Sequence, residues 1–388
     1  MIGSRHFFMR ILHVIQSSSQ IYGAERCVLE ETVALARRGH EVTVLLCHEK
    51  RFGPDQDRLQ NELSALGIAT ERVETQSRMN PKLVADWWQA HKRLAPDVVH
   101  SHSLKTDALS VPVCRGLHVP LVIEVHGYLH PNDLRIRLYE WLDGLFLRCA
   151  QAVLTLSRDY HQTIVQSGVA KERTFLLPSG LHLDRLAKQV GKRDFRAELG
   201  FSPAEFVVGM VARLSPEKGH EWFLSALDRL RGLRDGSTTV RGVLFGAGSL
   251  EQSLRREIAD RQLDVTLAGY VEETADAYRS LDALVSCSRL EGLPLNVIEA
   301  MSLGVPVLAM ATGGCRDIVQ NEVTGLLVPR GDVSGLSQAI GRLATNPVLR
   351  AQLGQAGRVF VEEHFSPTRW VVQVEHIYRF AQWSIGRT

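Results

Sequence analysis

The chain has 388 residues, of which 45% are hydrophobic and 23% are charged, and its net charge is only +2. That length exceeds what one hydrophobic core usually spans and favours two domains. The balanced charge argues against a broad nucleic-acid-binding surface, and no apolar stretch reaches the roughly 20 residues of a membrane-spanning helix.

Six scattered cysteines form neither a CxxC pair nor a cysteine–histidine cluster with zinc spacing. Several lie in apolar strand-like runs, such as Cys47 in VTVLLC and Cys287 in ALVSCS. We therefore expect buried, reduced thiols and a cytoplasmic protein. The first residues, MIGSRHFFMR, are too short and polar for a signal peptide. At most, we expect peripheral attachment to the inner face of the cytoplasmic membrane.

Short β-rich runs alternate with amphipathic stretches along the whole chain. The strand candidates of the first half are RILHVIQ, EVTVLLC, DVVHSHS, LVIEVHG, AVLTLS and TFLLPSG, and those of the second are EFVVGMVA, RGVLFGAG, VTLAGY, ALVSCS, PVLAMA and GLLVP. Between them lie helical patterns such as AERCVLEETVALARRGH, which ends at Gly39. Because many strand candidates are apolar throughout, we expect parallel sheets covered by helices, which is an α/β architecture.

The alternation breaks once, in the charged segment 181–205. We therefore predict one domain over residues 1–185 and a second domain over 186–365. Residues 366–388 read as a closing helix with Pro367 in its first turn, packing back on the N-terminal domain. Both domains are expected to be doubly wound and Rossmann-like. They would face each other across a cleft, which is the default place for a ligand.

The stretch LEGLPLNVIEAMSLGVPVLA carries two glutamates, Glu291 in a loop and Glu299 in the helix that follows. A carboxylate on such a helix can accept two hydrogen bonds from a ribose diol, and Glu291 is placed for sugar hydroxyls or developing positive charge. The backbone N–H groups at the helix start attract phosphate. The residues at that start are Leu293, Pro294 and Leu295. The alternative is that both glutamates are ordinary surface charges.

Two cations follow the strand in VVGMVARLSPEKGHEWFL, namely Arg213 and Lys218. Arg forms a bidentate fork with phosphate and Lys acts as a point charge, so this pair suits a diphosphate. The alternative is that these side chains pair with Glu217 or with water.

A third motif, VLFGAGSLEQSL, places Gly246 and Gly248 between a strand and a helix. Glu251 stands where a dinucleotide fingerprint needs its third glycine, so we do not expect NAD. Small residues there would let a nucleotide approach the backbone. A tight strand-to-helix turn explains the same glycines.

The segments ARLSPEKG, FGAGSLEQSL, LEGLPLNVIEAMSLGVPVLA and GG…DIV…TGLLVPRGD occur in that order. Together they resemble the retaining GT-B glycosyltransferases of the GT4 family, also called group 1. The resemblance spans nearly the whole chain and is strongest from Val207 to Asp332. It implies that Arg213 and Lys218 hold the donor diphosphate. It also implies that Glu299 contacts the ribose and that Glu291 lies beside the transferred sugar. Residues 1–185 would then form the acceptor-side domain and residues 186–365 the nucleotide-sugar-binding domain.

The first half carries two further parts of the resemblance. The family has two adjacent glycines before Ala-Glu, whereas this chain has Tyr22 and Gly23. Gly23 would still let donor phosphate or acceptor approach the backbone, and Tyr22 would narrow that approach or add a stacking wall. His126 resembles the family histidine at the sugar site, although a structural role fits it equally from sequence. We therefore expect Glu291, His126, Arg213 and Lys218 to be the catalytic residues.

We expect neither a metal nor another cofactor. His100 and His102 in VVHSHS face the expected cleft, and we interpret them as acceptor-side polar residues. The pair could mimic a metal motif, but no third ligand has matching zinc spacing. The DxD at 54–57 lies in a polar loop, where we interpret it as coincidence. The leaving diphosphate would then depend on Arg213, Lys218 and helix N-termini.

The stretch NDLRIRLYEWLDGLFLRCAQ combines arginines with apolar and aromatic residues. This pattern is typical of membrane-surface contact and equally of a helix that faces a core. The residues concerned are Arg135, Arg137, Trp141, Leu142, Phe146 and Arg148.

The resemblance implies a retaining hexosyltransferase that moves a sugar from a UDP- or GDP-linked donor to a hydroxyl acceptor. Surface-polysaccharide or lipid-linked glycan assembly is the expected context. The alternatives are a sugar-nucleotide epimerase or hydrolase, and a non-catalytic nucleotide-sugar-binding subunit.

Overall fold

The computed structural model describes residues 8–16, 21, 23–49, 58–75, 81–127, 134–189, 191–231 and 238–385, with only the backbone at 81 and 134–140. Tyr22, the DxD at 54–57 and the side chains of Arg135 and Arg137 lie outside this description. Contacts divide the chain into an N-terminal unit, Met1–Leu181 with Phe365–Thr388, and a C-terminal unit, His182–His364. The first division falls four residues before the predicted boundary at 185/186.

The N-terminal unit is built on a parallel sheet of seven strands in the order β3-β2-β1-β4-β5-β6-β7. Most of its strands are apolar and buried along their length, as in β1 and β5. This burial is what a parallel sheet covered by helices requires. The edge strand β3, with the sequence ATERVET, is polar and mostly unburied, and it was not predicted from the sequence. Its elements are β1 Arg10–Gln16, α1 Gly23–Arg37, β2 Glu41–Glu49, α2 Arg58–Ala65, β3 Ala69–Thr75, α3 Pro81–Leu94, β4 Val98–Ser101, α4 Leu104–Leu117, β5 Leu121–Val125, α5 Leu134–Cys149, β6 Ala152–Thr155, α6 Arg158–Gln166 and β7 Thr174–Leu176.

The last helix of the chain, α16 (Pro367–Ile385), packs on this first sheet. Its buried face includes Trp370, Val374 and Tyr378, which join the core cluster beneath β1, β4 and β5. Glu375 on the same helix accepts hydrogen bonds from Arg38 at 2.9 Å and His40 at 3.1 Å. These contacts make α16 part of the first core although it follows the second unit in sequence.

The C-terminal unit contains a parallel sheet of six strands in the order β10-β9-β8-β11-β12-β13. The charged segment 181–205 forms two short helices here, α7 and α8. The elements are α7 Leu183–Lys188, α8 Phe195–Glu198, β8 Phe206–Val211, α9 His220–Arg231, β9 Val240–Phe245, α10 Glu251–Asp260, β10 Val265–Gly269, α11 Ala275–Arg279, β11 Ala283–Ser286, α12 Leu295–Ser302, β12 Val307–Met310, α13 Gly313–Ile318, β13 Leu326–Val328, α14 Val333–Thr345 and α15 Pro347–His364.

The expected α/β architecture with two doubly wound parallel sheets is therefore confirmed. None of the described helices is both long enough and apolar enough to cross a membrane. One expectation about the cysteines is wrong: Cys149, the last residue of α5, is exposed, whereas the other five are buried. All strands of a parallel sheet point the same way, so their carboxyl ends share one edge. The predicted donor-site residues of the C-terminal unit follow β8, β9 and β11 at that edge.

Candidate functional site

The loops after β8 and β9 lie directly against each other. A Cβ added to Gly246, where φ is +143°, would come 1.9 Å from the carbonyl oxygen of Ala212. One added to Gly248 would come 2.3 Å from the carbonyl oxygen of Leu214. The packing of these two loops therefore requires glycine at both positions, since only a residue without a side chain fits there. This is the tight turn that sequence offered as the alternative.

Lys218 and Glu291 form an ion pair between the loops that follow β8 and β11. Lys218 ends a short 3-10 turn that begins at Pro216, and its Nζ donates to Glu291 Oε2 at 2.8 Å. The two side chains are only 20% and 12% exposed. Because Gly219, just after the lysine, lies against the carbonyl of Cys287, the turn is held close to the end of β11. Removing one partner alone from a partly buried ion pair of this kind lowers the free energy of unfolding by several kcal/mol.

Arg213 lies nearby in sequence but points to a different carboxylate. Its Nη2 donates to Glu217 Oε1 at 2.6 Å, and Ser215 Oγ donates to the same oxygen at 2.6 Å. Burial alone would raise the pKa of Glu217, but the bonds from Ser215 and Arg213 outweigh it and lower that pKa. The structure thus contains the pairing of Arg213 with Glu217 that the sequence analysis gave as the alternative. Arg213 remains 43% exposed at the side chain.

The start of α12 lies against the end of β8 and beside the loop that carries Glu291. Asn296 Nδ2 donates to the carbonyl oxygen of Val211 at 3.3 Å. The N–H of Gly314 donates to the carbonyl oxygen of Glu291 at 2.9 Å. Pro294 is the N-cap residue of α12 and Leu295 is its first helical residue, so the helix begins within the predicted start at 293–295. Leu293 and Pro294 are buried, whereas Leu295 is half-buried.

Glu299 lies one turn into α12 and is held by a tyrosine that sequence reasoning missed. The hydroxyl of Tyr278, on α11, donates to Glu299 Oε2 at 2.7 Å. Tyr278 is otherwise buried, with 1% of its surface exposed. This bond fixes the direction of the carboxylate. No sequence signal marks Tyr278, because it lies 21 positions before Glu299, in a short helix that carries no motif.

Only two of the predicted charged residues of the C-terminal unit thus contact each other. The structure joins Lys218 to Glu291 directly, whereas Arg213 and Glu299 are each engaged by a neighbour that was not predicted as a site residue. Sequence offered Glu217 only as the alternative partner of Arg213, which lies four positions earlier in the loop that leads into the 3-10 turn.

In the N-terminal unit, His126 follows β5 and its side chain is 14% exposed. Its Nε2 lies 3.0 Å from Nδ1 of His102 and 3.5 Å from Oε1 of Glu124. Burial lowers the pKa of His126 to about 4, so the ring is neutral near pH 7. Gly23 is the first residue of α1, and a Cβ added there would meet nothing within 4 Å in the described chain.

The placement of His100 and His102 on the acceptor side is wrong. The two rings are 0% and 3% exposed and lie in the core of the N-terminal unit. His100 in β4 and His102 just after it are covered by α1 and α16, because Glu31 of α1 has a ligand atom within 4.8 Å of both rings and the hydroxyl of Tyr378 lies 2.9 Å from Nδ1 of His100. Among the described residues, the only two groups with metal-ligand spacing lie in this unit, one around His13 and one around Cys27.

Comparison with known proteins supplies the family. Residues 205–346 match the family model of glycosyl transferases group 1, and residues 22–180 match that of the glycosyl transferase 4-like domain. The chain is 28% identical over 357 residues to the Escherichia coli UDP-Gal:alpha-D-GlcNAc-diphosphoundecaprenol alpha-1,3-galactosyltransferase, covering 89% of this chain and 90% of that one. It is 29% identical to a GDP-mannose-dependent alpha-mannosyltransferase of Mycobacterium tuberculosis (strain CDC 1551 / Oshkosh), covering 81% and 82% of the two chains.

Solved structures share the fold. Anabaena Alr3699/HepE in complex with UDP-glucose superposes with a TM-score of 0.80 at 22% identity, covering 95% of this chain and 98% of that chain. Sucrose-phosphate synthase from Thermosynechococcus elongatus gives 0.79 at 22% identity, with the same two coverages. With two family models that together match most of its length, this chain belongs to the group 1 glycosyltransferases of the GT4 type, which are retaining enzymes with a GT-B fold that use nucleotide-sugar donors.

Proposed function

We propose that this enzyme transfers a hexose from a UDP-linked donor to a hydroxyl of a lipid-linked diphosphate sugar. The observation that carries the donor site is the Lys218–Glu291 pair at the carboxyl edge of the second sheet. The choice of UDP and of a lipid-linked acceptor rests on the E. coli galactosyltransferase, to which the chain is similar over 89% of its length.

The donor diphosphate would lie against Lys218, Arg213 and the start of α12. Lys218 and Arg213 are each paired with a carboxylate in the structure, at 2.8 and 2.6 Å. Phosphate oxygens compete for the remaining ammonium and guanidinium protons, since Lys offers three donors and Arg five. The backbone N–H groups at the start of α12 add partial positive charge. This arrangement compensates a leaving diphosphate without a metal, and we propose metal-independent catalysis on that basis.

The chemical step proceeds on one face of the sugar. The bond from the anomeric carbon to the diphosphate oxygen breaks while the acceptor oxygen bonds to the same carbon. The acceptor proton moves to the departing phosphate oxygen, so charge and atoms balance and the configuration is retained. Glu291 lies beside the sugar and stabilises the positive charge that develops there, because its carboxylate is held by Lys218 instead of being free to attack.

Two further residues orient the donor. Glu299, held by Tyr278 at 2.7 Å, accepts hydrogen bonds from the ribose diol. His126, neutral near pH 7 because burial lowers its pKa to about 4, donates to a sugar hydroxyl or to phosphate. Gly23 stands at the start of α1, where an added Cβ meets nothing in the described chain, so any demand for glycine there comes from a ligand.

We also propose peripheral contact of the N-terminal unit with the cytoplasmic face of a membrane, through α5. A lipid-linked acceptor brings its sugar to such a surface. On α5, Trp141 is 61% exposed and Leu145 is 37% exposed one turn further on, while Leu147 packs into the core. An aromatic ring at a helix surface favours the membrane–water interface.

A donor panel with a defined acceptor tests the proposal. The enzyme is incubated with UDP-galactose, UDP-glucose, UDP-N-acetylglucosamine or GDP-mannose and with GlcNAc-diphosphoundecaprenol, in buffer containing EDTA. We expect a glycolipid product from one UDP-sugar, with an axial anomeric linkage by NMR. Turnover only with GDP-mannose would overturn the assignment of UDP. An altered sugar still bound to nucleotide would indicate an epimerase, and binding without turnover would indicate a scaffold subunit. Activity lost in EDTA and restored by Mg²⁺ would contradict metal-independence.

A further inference from the structure

Four metal-ligating side chains converge in the core of the N-terminal unit. His13 lies in β1 opposite His100 of β4, its partner in the strand register. His102 follows β4, and Glu31 reaches the same point from α1. Each of the four offers a ligand atom within 4.8 Å of those of the others. Their exposed fractions are 0% for His13, Glu31 and His100 and 3% for His102.

Within the described chain, four polar atoms of this group have no hydrogen-bond partner. They are Nε2 of His13, Nε2 of His100 and both carboxyl oxygens of Glu31. Buried polar atoms in native proteins are nearly always paired, and several unpaired atoms in one place call for an ion or a water. Since these atoms surround a common point, one bound group can satisfy them all.

The outward-facing nitrogens of two of these rings are already engaged. Nδ1 of His100 lies 2.9 Å from the hydroxyl of Tyr378, and Nδ1 of His102 lies 3.0 Å from Nε2 of His126. If each Nδ1 donates its proton, the lone pair of each ring is left on the inward Nε2. Metal-ligating histidines have this second partner, which fixes the ring and its tautomer.

The carboxyl groups at the cluster also suit a cation. Glu31 lies close to Glu124, which itself lies 3.5 Å from the His100 ring. No ion pair joins Lys or Arg to either carboxyl in the described part of the chain. A divalent cation bound here would supply the positive partner that these buried carboxyl groups lack.

We propose that His13, His100, His102 and Glu31 bind one divalent transition-metal ion of the zinc class. Three imidazoles and one carboxylate suit a tetrahedral site at about 2.0–2.2 Å, so the ligand atoms must draw together from their present spacing. His102 Nε2 would exchange its 2.8 Å hydrogen bond with His13 for a metal bond. The ion would be structural, because the protein fills all four positions and buries them. It lies in the N-terminal core and takes no part in holding the diphosphate.

Metal content of the whole enzyme tests this site directly. Protein made without a histidine tag is stripped with chelator in mild denaturant, refolded with Zn²⁺ or Co²⁺, passed over a desalting column and measured by mass spectrometry of the elements. We expect about one equivalent per chain, and for Co²⁺ the intense visible bands of a tetrahedral complex. A raised Tm should accompany loading, since an ion bound only by the folded state stabilises it.

Variants locate the ion. Glu31→Gln and His100→Asn should each lose the retained metal, with circular dichroism confirming that the protein is folded. His91→Asn is the matched control: His91 is also buried in this unit, with an unpartnered Nε2, but lies outside the cluster, and should retain the full equivalent. Substoichiometric metal in refolded wild-type protein, or equal retention by folded Glu31→Gln, would overturn the proposal and leave a bound water as the partner of these atoms.

Discussion

Lys218 donates to Glu291 across 2.8 Å, so a predicted diphosphate ligand and the glutamate expected beside the sugar share one ion pair. The lysine cannot gain a phosphate without changing the surroundings of the glutamate. In the proposed mechanism, binding of the leaving group and stabilisation of the sugar would therefore be coupled through this contact. Substituting either residue alone leaves the other partly buried without its partner.

Replacing Lys218 tests its proposed role in phosphate binding, because the affinity for UDP is measured directly. We expect Lys218→Met to weaken UDP binding by about 10–100-fold, the equivalent of one charged hydrogen bond of roughly 1.5–3 kcal/mol. Calorimetry measures the affinity. Lys192→Met is the matched control, because Lys192 forms an exposed pair with Glu273 in the same unit and is expected to leave the affinity unchanged. Unchanged UDP affinity in Lys218→Met would contradict the phosphate role.

The glutamate should respond in the opposite way. We expect Glu291→Gln to lower kcat by about 100-fold or more, as loss of one electrostatic stabiliser does, while UDP affinity stays the same or rises because Lys218 is released. Steady-state kinetics and calorimetry on the same preparation give both numbers, with Glu273→Gln as control. A variant that fails to bind UDP but turns over normally at saturation would show that Glu291 serves nucleotide binding.

Tyr278 is expected to act on donor binding through Glu299. Tyr278→Phe removes the 2.7 Å hydrogen bond and leaves the ring in place. We expect the donor KM to rise by about 5–20-fold, roughly 1–2 kcal/mol, because the lost bond positions Glu299 and does not itself contact the donor, with kcat little changed. The decisive comparison is UDP against 2′-deoxy-UDP: wild type should prefer UDP, and the variant should lose part of that preference. Equal preference in both proteins would rule out a ribose role for Glu299.

The α5 surface offers a prediction about vesicles. Sedimentation with anionic phospholipid vesicles should bring down wild-type protein, and Trp141→Ser should reduce the bound fraction several-fold, because an exposed indole contributes apolar area at the interface. Trp383→Ser on α16 removes a comparably exposed indole, 56% against 61%, and serves as the control. Equal loss in both variants would show that contact does not run through α5.

The free energy of unfolding of the N-terminal unit should fall at acidic pH as Glu375 becomes protonated. Burial alone would raise the pKa of Glu375, but hydrogen bonds from Arg38 and His40 outweigh it and the folded-state pKa is lowered. A lowered folded-state pKa means that the unfolded state binds more protons, so the stabilisation is complete above the unfolded value near 4.5 and is lost as pH falls through the folded value.

Thermal unfolding measures this dependence. We expect Arg38→Met to lower the Tm near pH 7 and to have little effect in acid below the folded-state pKa of Glu375, where the carboxyl is protonated in both states. Arg10→Met breaks a more exposed ion pair of the same unit, with Asp97, and controls for general loss of arginine. A difference between wild type and Arg38→Met that persists unchanged in acid would show that the ion pair is not its source.

The fold was accessible from sequence because its signals are local. Apolar runs such as VTVLLC and ALVSCS predicted buried parallel strands, and Gly39 and Pro367 marked helix ends that the structure contains. Site residues that are distant in sequence could be predicted to lie together only where the order of known motifs indicated it. This was the case for Lys218 and Glu291, which lie 73 positions apart. Tyr278 carries no motif, so its bond to Glu299 required the packing of α11 on α12.

The histidine cluster shows the same limit in another form. Sequence spacing relates His100 to His102 only, whereas His13 and Glu31 join them through strand register and helix packing. A search for a third ligand at zinc spacing therefore finds nothing, although the fold supplies two.

The chain leaves the first core at Leu181 and returns to it at Phe365, and the N–H of Leu181 donates to the carbonyl oxygen of Phe365 at 2.9 Å. The entire second unit is thus an insertion whose two ends emerge side by side. During synthesis, residues 182–364 are made before α16, so their sheet can form while the first sheet still lacks that helix. A deletion of α16 would consequently leave the core of the second unit intact and open the core of the first.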